Sequence, residues 1–266
     1  MKEFQIAIPS YERVAVLQSK TLATLDRIGV QPDRVTVFVA DDQQLELYSK
    51  SIDNKWNIQV GRPGLFNCRR HYFTEHYEAG TPVLSMDDDI EKIEQLGGKN
   101  LIELDASGFE SLCQYGFETC EEHQAPLWGI YPARNHFFMS NRAVVGLRYV
   151  IGCFFGSFAG NKIWTKARLS DESSAEDFET CLLSWFWFQS LLRIENVTVK
   201  TKYYAAGGID KEVEDAGAER WGVHENRLKQ LAQHYPDQCS LVTKAGGRAN
   251  LRLKSITHHK LKIGAF

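Results

Sequence analysis

Three consecutive carboxylates, Asp87-Asp88-Asp89, follow the apolar run Val83-Leu84-Ser85-Met86 without a break. Side by side, three negative charges repel one another, and an uncompensated cluster destabilises a fold. A divalent cation removes that conflict. Hard carboxylate oxygens suit Mg2+ or Mn2+, which keep waters and substrate phosphate oxygens in their shell. A strand sends alternate side chains to opposite faces, so the spacing predicts that Asp87 and Asp89 share one ligand while Asp88 points away. A solvated turn with a helix cap is the plain alternative. A second acidic group, Glu176-Asp177-Phe178-Glu179, opens an apolar stretch of helical periodicity, where the helix dipole alone favours acids.

The elements around these residues alternate. Residues 4–8 read as a strand, 14–28 as a helix through Val14, Leu17, Leu22, Leu25 and Ile28, and 35–39 as a buried β-branched strand. A helix near 43–51, a strand near 57–60, a helix near 66–78 and the strand 82–86 follow. This order predicts an α/β fold with a mostly parallel sheet flanked by helices. In such sheets ligands gather beyond the carboxyl ends of the strands. Those ends are Pro9-Ser10-Tyr11, Asp41-Asp42, Gly61-Arg62-Pro63-Gly64 and the acidic triplet. The second half is less regular. Helices are predicted over 108–123, 175–193 (capped by Ser173 or Ser174) and 219–234, with core strands near 127–131 and within 143–160, and a strand over 196–204 ending at Gly207-Gly208.

With 266 residues, 43% hydrophobic and 24% charged, the chain has globular composition, which excludes a disordered, collagen-like or coiled-coil protein. No repeat or linker divides it, so one domain is expected, with a ligand-binding half over 1–100 and a second half over 101–266. The net charge of −3 excludes a uniformly basic nucleic-acid coat. It hides an asymmetry, because Lys244, Arg248, Arg252, Lys254, Lys260 and Lys262 follow Asp237 with no acid among them. The six cysteines are scattered without a CxxC pair, so neither a disulfide framework nor a thiolate zinc site is expected. No stretch reads as a signal peptide or membrane span, and a cytoplasmic location is expected. Asn196-Val197-Thr198 is formally a glycosylation sequon and carries no weight without a secretory signal. The aromatic residues Trp185, Phe186, Trp187 and Phe188 are predicted to pack in the core, while Trp128, Tyr131 and Trp164 are candidates to line an acceptor cleft.

The strand-terminal DxD after an α/β half that opens "IAIPSYER" resembles the GT-A class of nucleotide-sugar glycosyltransferases. The stretch "GLFNCRRHYFTEHYEAGTPVLSMDDDI" resembles the part of that class in which an Arg-bearing helix precedes the DxD strand. The resemblance covers roughly residues 4–210, is strongest across 59–91, and within the class is nearest the TET-associated family of phages, which glycosylates hydroxymethylated pyrimidines in DNA. It implies a GT-A fold, a nucleotide diphosphate sugar, a UDP-sugar, as donor, and a divalent metal, Mn2+ or Mg2+. By this resemblance Asp87 lies nearer the ribose and Asp89 is the direct metal ligand, with Asp88 beside the donor. Pro9, Ser10, Tyr11 and Arg13 would contact base and ribose, and Asp41 or Asp42 would face a uracil-like base. Arg62, Arg69 and Arg70 would sit near the departing diphosphate, joined by His224 (also a candidate metal ligand) or by His258-His259. Inverting members carry an acidic pair at the position of Glu176 and Asp177, which implies Asp177, or else Glu176, as general base on the acceptor hydroxyl.

A DNA acceptor would draw on the basic C-terminal stretch. Arg134, Arg142, Lys244, Arg248, Arg252 and Lys254 are the candidates to hold duplex DNA, and a solvated tail is the alternative. The function so implied is sugar transfer to 5-hydroxymethylcytosine in phage DNA, in the host cytoplasm. The competing readings are transfer to a saccharide, lipid or protein acceptor, a nucleotidyltransferase that releases pyrophosphate, and a non-catalytic DNA- or sugar-nucleotide-binding module.

Overall fold

A computed structural model describes residues 3–166, 175–201, 217–243 and 247–266. The strands in chain order are β1 (Gln5–Pro9), β2 (Val35–Val39), β3 (Asn57–Val60), β4 (Pro82–Met86), β5 (Lys92–Gly97), β6 (Asn100–Glu103), β7 (Leu127–Ile130), β8 (Arg142–Leu147), β9 (Phe154–Phe158), β10 (Leu192–Ile194), β11 (Val197–Lys200), β12 (Cys239–Thr243), β13 (Ala249–Leu253) and β14 (Ile256–Lys262). Nine of them form one sheet in the order β14-β8-β10-β7-β9-β4-β1-β2-β3. β3, β2, β1 and β4 pair in parallel, as do β7 and β10, and only β9 and β8 run against the rest. The α/β fold with a mostly parallel sheet and flanking helices is therefore the one observed.

Period-two burial explains why the N-terminal strands form where the sequence puts them. Ile6, Ile8, Val35, Val37, Val39, Leu84 and Met86 enter one core with the helical residues 14–28 and the helix Ala106–Glu122. Ala7, Phe38 and Val83 face the opposite core, beside the helices Leu65–His71 and Glu176–Phe188. Both faces are covered, so these strands read as continuous apolar runs.

Three features depart from the sequence expectation. Residues 92–97 and 100–103 form a hairpin, to which β11 adds as a third strand. The helix predicted to reach 193 stops at Phe188, where Gln189 turns left-handed at φ 52°. The basic C-terminal stretch, which carries no clean apolar alternation, forms the hairpin β12–β13 and the edge strand β14 against β8. β14 is exposed along most of its length, so burial imposes no pattern on its sequence. Ser173, Ser174, Gly207, Gly208 and Lys244 lie outside the described residues. Phe186 and Trp187 are surface residues, 58% and 43% exposed, and not core as expected. Periodicity could not separate them from Trp185, which is buried on the same helix. No described helix is long and apolar enough to cross a membrane.

Candidate active site

The acidic triplet begins where β4 ends. Asp87 keeps the strand's alternation and falls on the side of Val83 and Ser85, so it meets Arg69 on the helix Leu65–His71, with Nη2 to Oδ1 at 2.7 Å. Asp88 falls on the opposite side. Its Oδ2 accepts from Ser10 Oγ at 2.7 Å and its Oδ1 pairs with Arg13 at 2.9 Å. At Asp88-Asp89 the chain turns, and alternation stops governing direction. Asp89 therefore joins Asp88 on Arg13, at 3.0 Å, and accepts a second bond from Thr201 Oγ1 at 2.5 Å. Among protein partners, Asp89 thus shares Arg13 with Asp88, while Asp87 is held by Arg69. Thr21 pins the turn, donating to the Asp87 carbonyl and accepting from the Ile90 amide. Thr21 sits in a π-helical turn, Gln18–Leu22, inside the helical residues 14–28.

Charge compensation differs along the triplet. Asp88 is 4% exposed, and burial pushes its carboxyl up to about 7 despite Arg13 and Ser10. Desolvation also raises Asp87, against the pull of Arg69. The Asp87 side chain nevertheless stays 30% exposed, the most open of the three. Arg13 is raised: burial opposes its charge, and the three aspartates outweigh burial. Ser10 is held in turn by Tyr48, at 2.8 Å.

Asp87 leads through Arg69 to the second acidic group. Arg69 is 2% exposed, and its Nη1 reaches Glu176 Oε1 at 2.9 Å while Nη2 also donates to the Gly152 carbonyl at 2.6 Å. Space is tight at Gly152, where a Cβ would lie 3.2 Å from Nη1 and 3.3 Å from Glu176 Oε1, so those side chains would have to give by a few tenths of an ångström. Asp177 accepts from the Tyr149 hydroxyl and, at 2.8 Å, from the Phe178 amide. Desolvation raises Glu176 to about 7, with Asp177 adding to the shift, and raises Asp177 against the hydrogen bond from Tyr149. The preceding Ala175 takes a left-handed φ of 61°, strain that is tolerated where surrounding structure fixes a functional geometry. Arg69, Gly152, Phe155, Trp164, Glu176 and Asp177 line a small cavity at this junction.

The other expected site residues are distributed more widely. Asp41 caps the helix Asp42–Ser51 by accepting from the Gln44 amide at 2.8 Å, and both Asp41 and Asp42 are exposed at the carboxyl end of β2. Pro9 is buried and Tyr11 half-buried, at the end of β1. Arg62 is exposed and paired with Glu75 at 2.7 Å, and Arg70 is half-buried. His224 bears electrostatically on Asp177, so it belongs to the acid pair. Trp128 is fully buried, which removes it from any cleft, whereas Trp164 lines the small cavity and Tyr131 stacks under Arg193 at 5.4 Å. Among the DNA candidates, Arg134 is committed to Glu94, at 2.5 and 2.9 Å. Arg142 and Lys262 are opposed across β8 and β14, and Arg248, Arg252 and Lys254 are exposed. Sequence reasoning missed Tyr48, Tyr149, Gly152 and Thr201, none of which stands in a motif with its partner, and the exposed pair Phe137 and Phe138 beyond β7, at 82% and 71%.

A divalent cation fits this site in one way. Both oxygens of Asp88 and both of Asp89 have protein partners, and among the described residues no three His, Cys, Asp or Glu side chains converge to form a cage. Mg2+ and Mn2+ are held by one or two carboxylates when substrate phosphates complete the shell. The exposed part of Asp87 suits that role, and Asp89 can join it by releasing Thr201.

No protein-family model matches the chain, and no curated protein matches it either. Solved structures do. S. aureus TarS 1–349 in complex with UDP-GlcNAc superposes with a TM-score of 0.52 at 15% identity, covering 87% of this chain and 73% of that one. The crystal structure of the same TarS fragment, 1–349, gives 0.50 at 16% identity, over 74% of this chain and 59% of that one. What the chain shares with them is the fold.

Proposed function

We propose that this chain is a nucleotide-sugar glycosyltransferase that moves a sugar from a UDP-sugar to an acceptor hydroxyl with the help of a divalent cation. One observation carries the reading. At the carboxyl edge of a parallel sheet, a strand-terminal acidic triplet is tied through one buried arginine to a half-buried acid pair, 2.7 Å from Asp87 on one side and 2.9 Å from Glu176 on the other. A donor site and a base lie within one guanidinium of each other. The fold shared with a structure that binds UDP-GlcNAc supports the choice of donor.

The roles follow from the geometry. Asp87, with Asp89, would hold the cation, which supplies Lewis-acid stabilisation of the departing diphosphate. Ser10, Tyr48 and Arg13 fix the acidic turn so that the donor meets a preformed edge. Asp177 takes the acceptor proton. Tyr149 and the Phe178 amide aim its carboxylate, and burial brings its proton affinity nearer to working pH, which a general base requires. Glu176 stays on Arg69 and keeps the pair together.

The acceptor we propose is 5-hydroxymethylcytosine in duplex DNA. Its support is the resemblance in sequence together with the basic edge of Arg142, Lys260 and Lys262, all exposed on β8 and β14, for which no ion pair is seen among the described residues. Labelled UDP-sugars incubated with hydroxymethylated DNA, plain DNA and free saccharides test both levels. Label on hydroxymethylated DNA alone is expected. Label on saccharide keeps the transferase and discards DNA. In a parallel incubation, formation of UDP-sugar and pyrophosphate from UTP and a sugar 1-phosphate marks a nucleotidyltransferase, and UDP binding without turnover on any acceptor marks a binding module.

A further inference from the structure

We infer that Arg69 is a positioning residue that couples the occupancy of Asp87 to the acid pair Glu176–Asp177, so that the donor side and the base side each respond to the other's charge. The inference rests on the transferase reading for its biological meaning, and on geometry for its substance. Arg69 was expected near the departing diphosphate. It is 2% exposed, and both terminal nitrogens are already used, Nη1 on Glu176 and Nη2 on Asp87 and the Gly152 carbonyl. Its Nε is buried without a partner, and its guanidinium lies 5.4 Å over the Phe155 ring. A side chain so enclosed cannot reach a ligand in the cleft without leaving both carboxylates.

Three separately folded pieces meet at this one group: the helix Leu65–His71, the tip of β4, and the first turn of Glu176–Phe188. The segment between β8 and β9 closes the junction, because the Asp87 amide donates to the Cys153 carbonyl at 2.9 Å and Gly152 leaves room for the bridge. A planar fork with donors at fixed angles can serve two carboxylates at once, whereas an ammonium is a point charge. One positive charge shared between two carboxylates divides unequally once either is neutralised. A cation on Asp87 therefore turns Arg69 toward Glu176, and neutralising Glu176 turns Arg69 toward Asp87, where it competes with the cation. Such coupling is reciprocal by linkage.

The test is a double-mutant cycle on binding, read by calorimetry with Mn2+ and UDP. Glu176→Gln, which alters a residue of the acid pair, is expected to weaken Mn2+–UDP binding about fivefold or more. In an Arg69→Lys background the same change is expected to cost about twofold or less, since direct charge effects remain and the bridge does not. Equal losses in the two backgrounds overturn the inference. Should Arg69→Lys fail to fold, Gly152→Ala wedges the bridge without removing a charge and replaces it in the cycle. A second arm needs no nucleotide. The carboxyl titration of the acid pair is followed by difference infrared spectroscopy, with the charges of Arg69, Asp87 and His224 and the hydrogen bond from Tyr149 acting on it. Asp87→Asn is expected to move it to lower pH in the wild-type background and less so with Arg69→Lys. An unmoved titration overturns the coupling. If the wild type binds neither Mn2+ nor UDP, the transferase reading falls and this arm alone decides the inference.

Discussion

The two acidic groups of this protein are built on opposite principles. At the tip of β4, three aspartates receive Arg13, Ser10, Thr201 and a share of Arg69, so each carboxylate has at least one cationic partner. At the start of Glu176–Phe188, two half-buried acids receive a share of Arg69, one tyrosine hydroxyl and the Phe178 amide. The first group can offer charge outward through the part-exposed Asp87, although Asp88 is raised as far as Glu176, and the second is placed to hold or accept a proton. The difference lies in the supply of counter-charge, since both groups are deeply placed and desolvation raises Asp87, Asp88, Glu176 and Asp177 alike.

If that contrast is right, removing a carboxylate does different things in the two places. Asp87→Asn deletes the open donor-side ligand and is expected to lower sugar transfer about a thousandfold, together with the affinity for Mn2+–UDP, since electrostatic help to a leaving diphosphate is worth several kcal/mol. Asp177→Asn is expected to lower transfer about a hundredfold while changing UDP affinity far less than Asp87→Asn, because a general base acts on the acceptor side and the ion pair with Arg69 is made by Glu176. Steady-state kinetics with parallel UDP calorimetry separates the two patterns. Equal effects of both substitutions on UDP binding would erase the division between the groups.

Tyr149 sharpens the contrast through stability. Its hydroxyl donates to Asp177, whose only other hydrogen bond in the described residues comes from the Phe178 amide. Tyr149→Phe leaves a buried carboxylate short of a donor and is expected to cost about 1.5–3 kcal/mol in denaturant unfolding. A loss near zero would mean that Asp177 is already protonated or reached by water.

The acid pair also predicts a pH dependence of definite sign. Glu176 titrates near 4.5 when exposed and is raised to about 7 in the fold, so the folded chain holds its proton more tightly than the unfolded chain does. The stabilisation is complete below about pH 4.5 and is lost as pH rises to about 7. Thermal midpoints are expected to fall by a few degrees across that window through this group, and Glu176→Gln is expected to flatten the slope. A slope that survives Glu176→Gln unchanged assigns it elsewhere.

Much of the N-terminal half could be read from sequence. β1, β2 and β4 are buried on both faces, so their apolar runs declare themselves, and the polar residues that end them fall at the sheet edge where chemistry collects. Asp87-Asp88-Asp89 was legible as a cluster, but the direction of each carboxylate was not, because the strand's period ends at Met86 and a turn begins. The acid pair was visible only as helix-start acids until a family resemblance gave it a role. Its partners lie far away in sequence, Arg69 by 107 positions and Tyr149 by 28, a spacing that carries no local signal. The C-terminal strands were missed for another reason. β14 sits on a sheet edge with most side chains in solvent, so nothing in its residues had to alternate.

The smallest effect bears on redundancy. Thr201 Oγ1 donates to Asp89 at 2.5 Å, but Arg13 holds the other Asp89 oxygen at 3.0 Å and also grips Asp88. Thr201→Val keeps the side-chain shape and removes only the hydroxyl, so it is expected to cost about 1 kcal/mol, less than Tyr149→Phe. A guanidinium already beside Asp89 limits the penalty, whereas among the described residues Asp177 feels Arg69 and His224 at electrostatic range. Thr201→Val is also expected to strengthen Mn2+–UDP binding slightly, because it frees an Asp89 oxygen that the cation can use. Weaker Mn2+–UDP binding would place Thr201 itself among the donor contacts, and the compensated triplet would then depend on more than arginine.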